Sequence, residues 1–429
     1  MNEKTSFSIV EYFGSDKGHA CGYCKGSNSN LSNGMWAHTL NVQDYESLIN
    51  RGWRRSGHFC YKPMMKVTCC PQYTIRCNAK DFQMNPSHKK VLKKVRNFLS
   101  REQNLLIKSS SNSDPHPINN DNTSEPQTQL SSHEQYCASS SNKNEDTARS
   151  NQEIPTSSAV FQCVPKALED FLDENYHNPL KKLEIKLVDS TPTELKDTML
   201  TSYRLYVKYQ IQVHNDKEED CSLEQFKRFL VNSPLQKSYP KSGPSTGYGS
   251  FHQQYWVDGE LVAVGVVDIL PTCLSSVYFF YDPEYSYLSL GTYASLREIC
   301  FVRKLGLTDP NLIWYYLGFY IHSCPKMCYK GQYKPSFLLC PETYTFLPFS
   351  EAIIKLDGNK YSRLMEGTDE SSENREFLSK VGILYRRQAT TLDIYGSMKK
   401  LNEDEMKEIE QYALLVGLDS LSRMLLYRS

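Results

Sequence analysis

The sequence predicts an α+β chain in two folded parts, a small cysteine-rich one at the N-terminus and a larger one of strands and helices. Three observations predict it. Two cysteine pairs, Cys21-x-x-Cys24 and Cys69-Cys70, fall within the first hundred residues. A polar stretch at 101–158, rich in Ser, Asn, Asp and Pro, interrupts the apolar pattern. From about residue 159 apolar residues recur first at helical spacing and then in strand-like runs.

The 429 residues suffice for two or three domains. Lys plus Arg equals Asp plus Glu at 49 each, so the net charge is zero and any basic surface is local. No run of about 18 apolar residues is present to span a membrane. The start "MNEKTSFSIV" lacks the basic head and apolar core of a signal peptide. A cytoplasmic chain is expected, with the nucleus as a second compartment. There the 14 cysteines are reduced, which argues against a disulfide framework and for a metal or redox role of a C-x-x-C.

In order, residues 1–100 form the cysteine-rich part. They include "SHKKVLKKVRNFL", where Val91, Leu92, Val95, Phe98 and Leu99 recur at helical spacing and the basic residues take the other face, solvated or against RNA. Residues 101–158 hold too few large apolar side chains to offset their ordering entropy, so a disordered linker is expected, with Cys137 incidental. Residues 159–350 begin with a helix carrying Met199, Tyr203, Tyr206, Val207 and Ile211 on one stripe, then a shorter helix with Leu223, Phe226 and Leu230 inward. "FHQQYWVDGELVAVGVVDILP" reads as a hairpin turning at Asp258-Gly259. "LSSVYFFYDP" is a third strand, "YLSLGTYASLREICFVRKLG" a helix closed by Gly306, and "LIWYYLGFYI" a further strand. Residues 351–429 end in one or two amphipathic helices, a C-terminal helical extension. The order helix, helix, hairpin, strand, helix, strand matches the core of the GCN5-related N-acyltransferase (GNAT) fold.

The chain resembles the eukaryotic arginyl-tRNA–protein transferases. The resemblance rests on "CGYC" at 21–24, "GWRRSG" at 52–57, "YKP" at 61–63 and "CCPQYTIR" at 69–76. It continues in "LYVKYQIQVH", "FKRFL", "DGELVAVGVVDILPTCLSSVYFFYDP", "SLGTYASLRE" and "YYLGFYIHSCPKMCYKGQYKP". These motifs cover about residues 10–100 and 195–350. The resemblance implies transfer of arginine from arginyl-tRNA to the N-terminal α-amine of proteins beginning with Asp, Glu or oxidised Cys, which marks them for ubiquitin-dependent degradation. Two other readings stand beside it: a coenzyme-A-dependent N-acyltransferase on the same fold, and a metal-stapled adaptor that binds acidic N-termini. The phosphate loop of a GNAT acetyltransferase runs Q/R-x-x-G-x-G/A. Here "YLSLGTYASL" offers Gly291 but places Ala294 one position late, which counts against coenzyme A.

Aminolysis of an ester needs alignment, a modest base and oxyanion stabilisation, not a nucleophilic residue. Asp268, at the end of an apolar strand, is the first candidate base, and it could equally grip the donor's arginine. His252 is the second. Gln253, Gln254 and Tyr255 follow it, and alternation would aim Ser276 and Tyr278 into the same cleft. Arg54 and Arg55 suit an acidic N-terminus or a tRNA phosphate. Lys326 and Lys330, with Lys334, interleave with aromatics as a tRNA 3′ end requires. The four cysteines Cys21, Cys24, Cys69 and Cys70 fit tetrahedral zinc or an iron–sulfur cluster, and the resemblance implies the cluster. Cys60 and Cys77 lie nearby but outside the matched motifs, and Cys324 and Cys328, a C-x3-C, are expected to be core or surface thiols.

Overall fold

The computed structural model describes residues 7–100, 167–172, 180–367 and 375–429. The expected linker at 101–158 lies outside them. In chain order the strands are β1 (Ser8–Ser15), β2 (Ser32–Thr39), β3 (Arg54–Ser56), β4 (Phe59–Pro63), β5 (Tyr73–Asn78), β6 (Leu183–Asp189), β7 (Gly249–Val257), β8 (Glu260–Ile269), β9 (Cys273–Tyr281), β10 (Trp314–Tyr320), β11 (Ser336–Leu339), β12 (Phe346–Pro348), β13 (Gly382–Tyr385), β14 (Gln388–Thr391) and β15 (Met424–Arg428). The helices that bear on the site are α1 (Val42–Ile49), α2 (Pro86–Ser100), α3 (Met199–Tyr209), α4 (Leu223–Phe226), α5 (Leu290–Leu305) and α6 (Pro325–Cys328).

One sheet runs β14-β13-β15-β1-β2-β4-β3 and the other β12-β11-β5-β10-β9-β8-β7-β6. Both mix distant parts of the sequence. β5, from the cysteine-rich part, sits between β10 and β11. Its residues Tyr73, Thr74 and Ile75 are buried in succession, a pattern that needs cover on both faces. β15 pairs in parallel with β1 on one side and β13 on the other. The cysteine-rich part and the C-terminal extension are therefore sheet-forming segments of the described fold, and the extension holds three strands besides its helices.

The β7–β8 hairpin turns at Asp258 and Gly259, both with positive φ (51° and 86°), the two-residue turn expected from that dipeptide. Alternation along this hairpin sorts the sheet's faces. Phe251, Tyr255, Ala263 and Val267 join the core that holds α5, whose Leu290, Tyr293, Leu296, Ile299, Val302 and Leu305 recur at helical spacing. Val264, Val266 and Phe280 join a second core under α3 and α4. α3 widens into a π turn over Gln210–His214, which rotates Ile211 out of the predicted stripe to 36% exposure. Gly306 follows α5 in ordinary helical geometry (φ −63°). A Cβ there would stand 3.1 Å from the Leu312 carbonyl, so close approach, not a left-handed cap, explains the glycine.

β9 and β10 run parallel for only three residue pairs, ending at Tyr316↔Ser275. Beyond that point β9 follows β8 and β10 follows β5. Each strand carries a bulge there. Val277 is extra between Ser276↔Val267 and Tyr278↔Val266, and the β10 register shifts between Tyr316↔Arg76 and Phe319↔Thr74. Bulges bend a strand and raise its twist, so the sheet parts between β9 and β10.

Candidate functional site

The opened strand pair organises the site. On the α5 face, Glu298 reaches under the parting strands. Its Oε2 accepts from the Tyr315 hydroxyl of β10 at 2.7 Å, and the Ser276 hydroxyl of β9 also bonds it. A Cβ on Gly265 would stand 3.0 Å from Oε1, so glycine in β8 makes room for the carboxyl. Glu298 is 1% exposed and forms no salt bridge among the described residues. Burial pushes its carboxyl up to about 7, with the two hydroxyls opposing. Glu298 is not among the candidates drawn from the sequence above, although it sits inside "SLGTYASLRE". The signal was an acid on an otherwise apolar helix face.

Asp268 lies on the opposite face and is fully buried. Arg55 Nε donates to Oδ2 at 2.9 Å and Nη2 to Oδ1 at 2.5 Å, while the Ser250 hydroxyl donates to Oδ1 at 2.7 Å. The carboxylate oxygens of Asp268 are thus taken up by a bidentate guanidinium and a hydroxyl. The structure thus places Asp268 and Arg55 against each other, each occupying the other's charged group. His252 is also fully buried; its Nε2 lies 2.9 Å from the Leu230 carbonyl and burial lowers it to about 4. It is a neutral core histidine. Gln254 donates to the Thr198 hydroxyl at 2.8 Å and accepts from Trp256 at 3.1 Å, and Gln253 accepts from the Tyr255 hydroxyl at 2.6 Å. These three side chains brace the sheet. The bulge at Val277 separates Ser276 from Tyr278: Ser276 meets Glu298, whereas Tyr278 donates to Gln210 at 2.8 Å under α3.

Arg54 remains. It is 6% exposed, donating to the carbonyls of Trp53 (2.7 Å), Ile49 (3.4 Å) and Gly318 (3.3 Å). Its Nε has no hydrogen-bond partner among the described residues. Lys330, half-buried in the turn after α6, donates to the Phe319 carbonyl at 2.8 Å. Burial, with Arg54 nearby, lowers it to about 7. Lys326 is exposed on α6. The segment "YLSLGTYASL" starts in the last residues of a 3-10 turn (Pro283–Leu288), passes through left-handed Ser289 (φ 57°) and continues as α5, with Gly291 already inside the helix. No glycine-rich loop precedes that helix.

The four cysteines converge as expected. The Sγ atoms of Cys21, Cys24, Cys69 and Cys70 all lie within 4.8 Å of one another. Thiolates about 2.3 Å from one tetrahedral ion stand about 3.8 Å apart, so the donor set fits a metal. The Cys69 amide donates to the Ser29 carbonyl at 2.9 Å, tying the second pair to the loop of the first. Cys21 and Cys70 are buried against Ile321, with Cys324 and Met327 packed alongside. Cys24 is exposed, and its thiol is lowered to about 7 chiefly by the Gly26 backbone N–H. Burial pushes Cys70 up to about 12.

Residues 201–340 match the family described as arginine-tRNA-protein transferase, C terminus, and residues 19–90 match its N-terminal counterpart. An arginyl-tRNA–protein transferase of Drosophila melanogaster is 39% identical over 98% of this chain and 99% of its own. One from Arabidopsis thaliana is 34% identical over 86% of this chain and 79% of its own. An aspartate/glutamate leucyltransferase of Campylobacter jejuni is 30% identical over 37% of this chain and 59% of its own. Fold, site and likeness together define a mixed α/β aminoacyltransferase. The likeness along nearly its whole length makes the chain a member of the arginyl-tRNA–protein transferase family.

Proposed function

We propose that this chain transfers arginine from arginyl-tRNA to the N-terminal α-amine of proteins beginning with Asp, Glu or oxidised Cys, marking them for ubiquitin-dependent degradation. The near-full-length identity to a curated arginyl-tRNA–protein transferase carries the reading. The relative named for aspartate and glutamate supports an acidic acceptor. A GNAT-like core is the finer fold reading, supported by the β7–β8 hairpin, β9, α5 and a parallel β10 that parts from β9. Use of arginyl-tRNA would keep the chain in the cytoplasm, with the nucleus as a second site.

In the reaction the amine nitrogen attacks the ester carbonyl carbon, a peptide bond forms, and the ester C–O bond to the tRNA ribose breaks. The attacking nitrogen must lose a proton, and the ribose oxygen must gain one. We assign the first transfer to Glu298, a carboxylate near pKa 7 without a cation beside it. Each bulge leaves a residue out of the ladder, and a backbone N–H freed there suits the developing oxyanion. Exposed Lys326 and the exposed face of α2, with Lys89, Lys90 and Lys93, suit tRNA phosphates.

The thiol centre would hold an iron–sulfur cluster, with zinc as the alternative that metal analysis separates. Bound there, it would fix the Cys21–Cys24 loop against the Ile321–Met327 segment and make that contact sensitive to oxidation. The test of the reaction is the intact mass of an Asp-initiated peptide after incubation. A gain of one arginine residue with arginyl-tRNA, and none with acetyl-coenzyme A, is expected. Acetylation would establish the coenzyme A reading, and peptide binding without any mass change the adaptor reading.

A further inference from the structure

We infer that Arg54 and Lys330, anchored on consecutive carbonyls of β10, form the receptor for the acidic side chain of the acceptor's first residue. The inference rests on the transferase reading above. Arg54 Nη2 is bonded to the Gly318 carbonyl and Lys330 Nζ to the Phe319 carbonyl. Neither side chain forms an ion pair with a carboxylate among the described residues, although Arg54 is 6% exposed. Its neighbours Tyr45, Tyr61, Tyr316 and Cys273 are neutral groups. A buried guanidinium without an anion is costly, and a second cation beside it adds repulsion. One carboxylate relieves both terms. The Arg54 Nε, enclosed from solvent, has no hydrogen-bond partner among the described residues either.

The surrounding geometry favours a short side chain as the source of that anion. Gly318 lies at the β10 bulge with φ +74°, and nothing but Lys330 Nζ, 3.8 Å away, faces the place its Cβ would take. Strand β10 also carries Tyr315, the hydroxyl that holds Glu298. The turn Tyr329–Gln332 spans the two ends of the site: Tyr329 stands within electrostatic reach of Glu298, and the next residue, Lys330, within reach of Arg54. An acceptor's amine and its own side-chain carboxylate are likewise only a few bonds apart. A tRNA phosphate belongs instead to exposed cations, because a polymer backbone does not enter a recess where Arg54 is nearly closed off.

The experiment compares wild type with Lys330→Met and Lys330→Arg on peptides that begin with Asp or with Asn and are otherwise identical. Transfer from arginyl-tRNA is followed as kcat and KM for each peptide and for the tRNA. Wild type is expected to prefer Asp. Loss of a charge-assisted contact predicts that Lys330→Met raises the Asp-peptide KM about tenfold or more and leaves the KM for arginyl-tRNA unchanged. Lys330→Arg is expected to restore most of the preference. An unchanged Asp-over-Asn ratio in Lys330→Met would overturn the inference, as would a rise confined to the KM for arginyl-tRNA, which would assign the site to tRNA phosphate. Absence of transfer by wild type would instead strike the transferase reading itself. Anisotropy of a dye-labelled Asp peptide, measured without tRNA, reads the same loss in binding alone.

Discussion

Two acids that look alike in the sequence have opposite situations. Asp268 is paired with Arg55, from which 213 residues separate it, and nothing local in "VVDILP" announces that partner. Asp268→Asn leaves Arg55 charged and unpaired at the sheet, a cost of about 3–5 kcal/mol. The expected readout is a fall in the chemical denaturation midpoint, and a wild-type midpoint would count against the pairing. Glu298 is the reverse case. Glu298→Gln is isosteric and keeps an acceptor for Tyr315, so the midpoint should hold while kcat falls about 10²–10⁴-fold. The sign of the pH dependence follows from its raised carboxyl. Below about 7 the acid is protonated and cannot accept, so kcat should climb as pH rises through that value and then level. A kcat limb that survives in Glu298→Gln would assign the proton to another group. Its environment depends on Gly265 of β8 and Tyr315 of β10, so no local window around Glu298 marks it.

At the level of elements, local signals were legible where the chain itself sets the geometry. Asp258-Gly259 turns as its composition requires, and the apolar stripe of α5 lands on the sheet. Alternation failed at β9, because one extra residue at Val277 turns Tyr278 to the other face from Ser276. Periodicity carries no mark of a bulge whose partner strand is unknown. The β10 bulge does leave a mark, a glycine inside an aromatic strand. Gly318→Ala forces a side chain into φ +74°, which costs about 1–2 kcal/mol and should disturb the carbonyls that hold Arg54 and Lys330. A loss of stability of this size, with a raised peptide KM, is the expected outcome of denaturation and steady-state kinetics. The convergence of the cysteine pairs was legible because side chains able to hold a metal come from few residue types. Cys69→Ser with Cys70→Ser should abolish bound metal, read by elemental analysis of anaerobically purified protein, and wild-type metal content would contradict the site.

Across the whole molecule, the two sheets interleave segments far apart in the chain, and this was the least legible feature. β5 and β15 carry ordinary strand patterns, but which neighbours they take depends on pairings that no local window contains. Because β15 lies between β1 and β13, removing residues 422–429 should unseat the N-terminal sheet and yield insoluble or protease-sensitive protein. A soluble, protease-resistant truncation would show that the strand is dispensable. The cysteine cluster packs against Ile321, Cys324 and Met327, in the segment that leads into Lys330, so the thiols and the proposed acceptor receptor lie at one end of β10. The most direct test of the account uses metal-loaded protein, radiolabelled arginyl-tRNA, and two peptides that differ only in beginning with Asp or Ala. Label is expected on the Asp peptide and essentially none on the Ala peptide. Label on neither, or equally on both, would contradict it.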